Sequence, residues 1–186
     1  TFPLRRVFLG REIKRGTGNI KLLRLFRNGY GRSENRWMDE HIEIINGETI
    51  DFSGCFSDDN LNDISWWTQK HVGYSIREAI DLLDIELGLF IEKSDSIISD
   101  QASKKRAMKY KYATKPLFLR SFLYFIYRYI FKLGFTEGKE GFLWHFLQGW
   151  WYRTLVDVKI YEIKKACGND ITSIKNYLNF KYKIKL

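Results

Sequence analysis

The run Arg36-Trp37-Met38-Asp39-Glu40-His41 sets two adjacent carboxylates beside an imidazole, and some thirty residues later Lys70-His71 and Arg77-Glu78 add cations. A carboxylate aimed at a hydroxyl can act as a general base. Fixed positive charge can hold the negative charge that develops on a departing diphosphate. Asp39 and Glu40 are candidates for the first task and Lys70, His71 and Arg77 for the second. His41 could bridge to an acceptor or a metal, and the ring of Trp37 could stack on the apolar face of a sugar. Plainer readings stand beside these: a solvated acidic turn, a structural histidine, a core tryptophan, and a helix face in water on which Arg77 pairs with Asp81 at i+4.

These residues need elements to position them. Residues 20–26 read as a strand closed by Asn28-Gly29, with a loop at Gly16-Thr17-Gly18-Asn19. That loop could cradle a phosphate, but no P-loop lysine follows it. Residues 41–45 and 48–52 flank Asn46-Gly47, the pattern of a β-hairpin with Asp39-Glu40 at its mouth. Asp58-Asp59-Asn60 offers a cap for a long helix from near Leu61 to about Gly88. Ile76, Ile80, Leu83 and Leu87 form its buried stripe. Lys70, Tyr74 and Arg77 share one of its faces, and His71, Tyr74 and Glu78 a neighbouring one.

Beyond residue 93 the chain becomes polar and basic, a linker or short basic helix running to Pro116. Residues 117–133 then form an aromatic helix. Its wheel groups Phe122, Phe125, Ile126, Tyr129, Ile130 and Leu133 on an apolar arc, with Arg120, Tyr124, Arg128 and Lys132 largely opposite. A second aromatic helix covers about 142–166. Neither contains the roughly twenty unbroken apolar residues that cross a bilayer. Basic helices with aromatic faces suit the headgroup layer instead.

At 186 residues, with 45% hydrophobic and 28% charged side chains, the chain can bury a core and is not compositionally disordered. A net charge of +9 favours an anionic partner: phosphate, an acidic membrane surface or nucleic acid. Cys55 and Cys167 are far apart and in no metal spacing, so a zinc site and a disulfide framework are both unsupported, and reduced thiols are expected. The first residue is Thr1 and not Met, which suggests part of a longer protein.

Arg24-Leu25-Phe26-Arg27, the Arg36–His41 run, and Trp66-Trp67-Thr68-Gln69-Lys70-His71 with Tyr74, Arg77 and Glu78 together resemble inverting glycosyltransferases of family 2. The likeness is greatest to bacterial enzymes of lipopolysaccharide, capsule and exopolysaccharide assembly. The tail is similar to that subgroup's C-terminal extension, through Tyr124-Phe125, Arg128-Tyr129, Gly134-Phe135, Gly138, Glu140-Gly141-Phe142 and Trp151-Tyr152-Arg153.

The resemblance implies an α/β fold. Residues 1–95 would be the acceptor-side part of a GT-A-like domain, 96–116 a basic linker, and 117–186 an amphipathic, membrane-interface extension. It implies sugar transfer from a nucleotide-sugar donor to a glycan or lipid-linked acceptor, at the cytoplasmic face of the cell membrane. Asp39 or Glu40 would be the base, Lys70, His71 and Arg77 would lie near the donor diphosphate or its metal, and Trp37 and His41 near the acceptor. A divalent metal, Mg or Mn, is expected from the family, but the Asp-x-Asp motif and nucleotide-binding half that would hold it are not seen in this chain. Two alternatives of other classes remain: a basic, aromatic-rich nucleic-acid-binding protein, disfavoured because no RNA-binding signature occurs, and a non-catalytic membrane-docking module.

Overall fold

Strand β1 (Phe2–Phe8) organises the small sheet. In the computed structural model, which describes residues 1–34, 38, 41–90 and 100–184, with backbone alone over 100–106, β1 is paired along both edges. On one side the chain turns back at Leu9-Gly10, where both residues have positive φ as a two-residue hairpin loop requires. It then runs antiparallel to β1 as β2 (Arg11–Glu12) and, after an interruption, β3 (Lys21–Leu22). Bonds from the Ile13 amide to the Arg6 carbonyl (2.9 Å) and from the Leu4 amide to the Ile20 carbonyl (2.7 Å) make these one broken return strand. The strand expected over 20–26 is thus only two residues long.

On the other edge β6 (Phe56–Asp59) lies parallel to β1, with Arg6 opposite Asp58 and Val7 opposite Asp59. A separate ribbon pairs β4 (Gly31–Ser33) with β5 (Ile42–Ile44). This corrects the expected hairpin. Residues 42–44 pair backward with 31–33, and 48–52 form no strand. Gly47 does take positive φ, so the turn signal is real, but the partner lies upstream.

Helix α1 (Ile64–Leu87) is capped by Asp63, whose Oδ1 accepts from the Trp66 amide at 2.8 Å, and stopped by left-handed Gly88. The expected cap at Asp58-Asp59-Asn60 is therefore displaced, and the two aspartates belong to β6. Ile80 and Leu83 are fully buried as the periodicity requires, with Ile76 and Leu87 packed beside them. The region expected as linker or short basic helix contains α2 (Asp100–Ala113).

The aromatic tail begins with α3 (Leu119–Ile126), which widens into π-helical turns over Tyr127–Phe131. A 3-10 turn (Gly134–Glu137) leads to α4 (Gly138–Trp144), a second π-helical stretch (His145–Trp151) and α5 (Tyr152–Cys167), followed by α6 (Ile171–Tyr182). The largest core joins α1 to α5 and α6 through Ile80, Leu83, Val156, Ile160, Ile163, Ile174 and Leu178. The described residues are thus α/β in class, with small sheets set against a helical body. None of their helices is long and apolar enough to cross a membrane.

The tail has the two faces of the wheel, and two cations of the charged one turn inward. Arg120 and Arg128 are buried, whereas Phe122, Ile130 and Leu133 are exposed. Only Phe125 of the expected apolar arc is fully inside. Asp157 on α5 causes part of this inversion. Its Oδ1 accepts from Arg120 Nε at 2.7 Å and its Oδ2 from the Phe118 amide at 2.8 Å. Arg120 also reaches the Ala113 carbonyl at 2.9 Å. Phe118 sits at φ 67° in a γ-turn closed by the Leu119 amide on the Leu117 carbonyl, a strained geometry for a bulky residue that Asp157 holds in place.

Arg128 Nε donates to the Gly16 carbonyl at 3.2 Å, and the guanidinium also bonds Gln148. This docks the glycine loop of the broken return strand onto the helices. Gly16 has φ 73°, and a Cβ there would collide with the His145 ring. His145 therefore occupies the space beside Gly16, while Gly18 of the same loop stays open.

Candidate functional site

Positions 67, 70, 71 and 74 share one face of α1, and that face looks across to β1 and β6. Trp67 is buried and anchors this face. It meets Phe8 of β1 and Trp144 of α4 edge-on, at 5.8 and 6.3 Å between ring centroids. This aromatic trio, backed by buried Ile13, lines the floor of a cleft of about 510 Å³, which Ile13 itself does not reach. Its walls carry Arg6, Asp58, Asp59, Trp66, Lys70 and His71.

His71 stacks on Trp67 with centroids 3.6 Å apart and has Tyr152 edge-on at 5.2 Å. Its Nδ1 lies 2.8 Å from the Trp67 carbonyl. A carbonyl can only accept, so Nδ1 carries the proton and Nε2 keeps its lone pair. Burial lowers the His71 pKa, only partly offset by that carbonyl, and the Lys70 cation lowers it further. At neutral pH the ring is an uncharged base. Lys70 Nζ lies over the rings of Trp66 (4.8 Å) and Tyr74 (5.6 Å), a cation held at a fixed place while remaining exposed. Burial also lowers the Arg6 pKa, with Asp58 across the parallel pair acting in the opposite sense.

A second hollow of about 340 Å³ adjoins the first on the outer side of α1. Trp66, Lys70 and Tyr74 belong to both, and Arg77 lines the second alone. Lys70 thus stands between two depressions. The Arg77–Asp81 pair weighed from the sequence gives way to a different arrangement: Asp81 meets Lys109 of α2 at 2.6 Å. Glu78, on the neighbouring face, is buried and accepts from Arg153 of α5 at 3.1 Å and from Lys109 at 3.0 Å.

Of the residues singled out in the sequence, the structure brings Lys70 and His71 into one cleft and places Arg77 beside it. His41 lines neither hollow. Its amide donates to Glu34 Oε2 at 3.0 Å within the β4–β5 ribbon. Trp37, Asp39 and Glu40 lie outside the described residues.

Arg6, Asp58, Asp59 and Trp144 line the cleft without having been singled out. The β1–β6 pairing that delivers the first three joins segments about fifty residues apart, which no local pattern announces. Asp63, three residues before Trp66, was the better helix cap, and its recognition would have freed Asp58 and Asp59 for another role. No group of three or more His, Cys, Asp or Glu side chains arranged to hold a metal ion occurs among the described residues.

Comparisons with models of known protein families, with characterised proteins and with solved structures give no match to this chain.

Proposed function

We propose that this chain is the acceptor-side part, GT-A-like in arrangement, of an inverting family 2 glycosyltransferase. It moves a sugar from a nucleotide-sugar donor to a glycan or lipid-linked acceptor during cell-surface polysaccharide assembly, at the cytoplasmic face of the membrane. One observation carries the reading. A fixed ammonium, Lys70, and an imidazole kept neutral by burial, His71, share an aromatic-floored cleft. Aromatic faces suit sugar rings, and the ammonium suits a phosphate oxygen. The order of the sequence motifs that resemble the family supports the same assignment.

In this mechanism Asp39 or Glu40 takes the proton from the acceptor hydroxyl. The hydroxyl oxygen forms its bond to the anomeric carbon from the face opposite the nucleotide. The bond from that carbon to the diphosphate oxygen breaks, and its electron pair leaves with the diphosphate. Lys70 steadies that charge, and Arg77 contributes from the adjoining hollow. The described residues offer no site that fits the divalent metal implied by the resemblance, so no step is routed through one.

The test uses the full-length protein with UDP and GDP as binding probes and a panel of radiolabelled nucleotide-sugars with membrane extract as acceptor. Lys70→Ala is expected to weaken nucleotide diphosphate binding and lower turnover by roughly a hundredfold. Asp39→Asn or Glu40→Gln should lower turnover by about 10²–10⁴ with binding retained. Full activity in both carboxamide variants, or unchanged diphosphate binding in Lys70→Ala, overturns the proposal.

A further inference from the structure

We infer that the outward face of α3, its π-helical continuation and α4 inserts into the headgroup layer of an anionic lipid bilayer and lies in its plane. The inference rests on the membrane placement in the preceding reading, but its test involves no sugar chemistry, so either can fail alone.

A helix that faces water keeps its charges outside and its apolar stripe inside. This segment does the reverse. Leu119, Phe122, Leu123, Ile130 and Phe131 recur at helical spacing and are exposed, Leu123 by 53% and Phe131 by 72%. The opposite face turns Arg120 and Arg128 inward, where Asp157, Gln148 and the Gly16 carbonyl satisfy them. The inversion is held rigidly: Phe125 stacks on Trp150 at 5.4 Å and Phe122 meets it edge-on at 5.3 Å, locking α3 against the turns after α4. Phe142 and Leu143 continue the exposed apolar surface onto α4. A contiguous face of this kind is stable only against a medium or partner of low polarity.

Charge identifies the occupant. Exposed Lys115, Lys132 and Lys139 stand at the ends of the apolar runs, in the position that meets headgroups when the rings between them enter the acyl boundary. A second copy would bring the same lysines together, with a net charge of +9 on each chain. An anionic leaflet is complementary where another copy is repelled. Residues 119–131 as a helix span about 20 Å, short of the roughly 30 Å hydrocarbon core, so the segment lies along the surface and does not cross it.

The experiment is flotation of the full-length protein with vesicles of phosphatidylcholine alone or mixed with phosphatidylglycerol. The wild type should float with the mixed vesicles and much less with the neutral ones. The double variant Leu123→Ser/Phe131→Ser should bind them at least roughly tenfold more weakly. Leu143→Ser, on the other helix, should weaken binding independently, and Lys132→Glu/Lys139→Glu should remove the preference for anionic lipid. Phe180→Ser alters an equally exposed ring on α6 and should bind like the wild type. Unchanged melting temperatures establish that the variants fold. Wild-type flotation by Leu123→Ser/Phe131→Ser and by Leu143→Ser overturns the inference. So does a dimer in light scattering that the double variant dissociates, because the face would then belong to a second copy.

Discussion

The cleft side of the molecule keeps a cation at the surface, with Lys70 resting over Trp66 and Tyr74. The helical side takes its cations inward, where buried Arg120 and Arg128 and half-buried Arg153 are held among carboxylates, carbonyls and tyrosine rings. The Arg153 pKa shows the cost and its repayment. Burial lowers it, but Glu78 and the surrounding tyrosines outweigh burial and leave it raised. A basic residue on an aromatic helix can therefore serve opposite ends. Exposed, it is available to a ligand. Buried and paired, it turns the aromatic side of its helix outward.

The largest effect that could break this comparison lies in the buried pair. Asp157→Ala should cost about 3–5 kcal/mol in urea denaturation, because it strands Arg120 and the Phe118 amide together. Replacing both charges with apolar residues should recover most of that loss. A cost below about 1 kcal/mol for Asp157→Ala would show that the inward charges do not hold the helical side together.

The junction between the regions supplies a pH test. Burial and the Arg128 cation push the His145 pKa down to about 4, against the pull of the Arg15 carbonyl. Its unfolded value is about 6.5, so the unfolded chain takes up a proton that the folded chain refuses between those limits. The contribution of His145 is complete above about pH 6.5 and is lost as pH falls toward 4, by up to about 3 kcal/mol. His71, also lowered by burial, acts in the same direction. Urea unfolding across this range should show the slope, and His145→Gln should flatten it. An unchanged slope would free His145 of this role.

The smallest expected effect sharpens the contrast from the sheet side. Arg32 bonds Glu43 at 3.0 Å across β4–β5 with its own side chain largely in water. Arg32→Ala should cost under about 1 kcal/mol in the same assay. A loss comparable to that of Asp157→Ala would mean that the two regions do not differ in how they use charge.

The features legible from sequence are those set by neighbours along the chain. The stripe of α1 from Ile80 to Leu83, its end at Gly88, and the shared face of Lys70, Tyr74 and Arg77 all follow from helical spacing. The turn at Gly47 was legible too, but its pairing was not, because β4 and 48–52 were both available partners for β5 and only tertiary context chose between them. In the candidate site, Lys70 and His71 were visible as a pair. Arg6, Asp58 and Trp144 come from strands and a helix brought together only by folding. The wheel of residues 117–133 showed that the helix has two faces but could not show which one meets the protein. That depended on Asp157, almost forty residues away.

Trp144 belongs to the cleft floor, while Phe142 and Leu143, on the same turn of α4, are exposed. One helix thickness, roughly 10–12 Å, therefore separates the bottom of the hollow from whatever covers the opposite side of that turn. A freely diffusing molecule is indifferent to this gap. On the proposed membrane placement, a molecule tethered in the bilayer reaches Lys70 only across that thickness, so the length of its stem decides its entry.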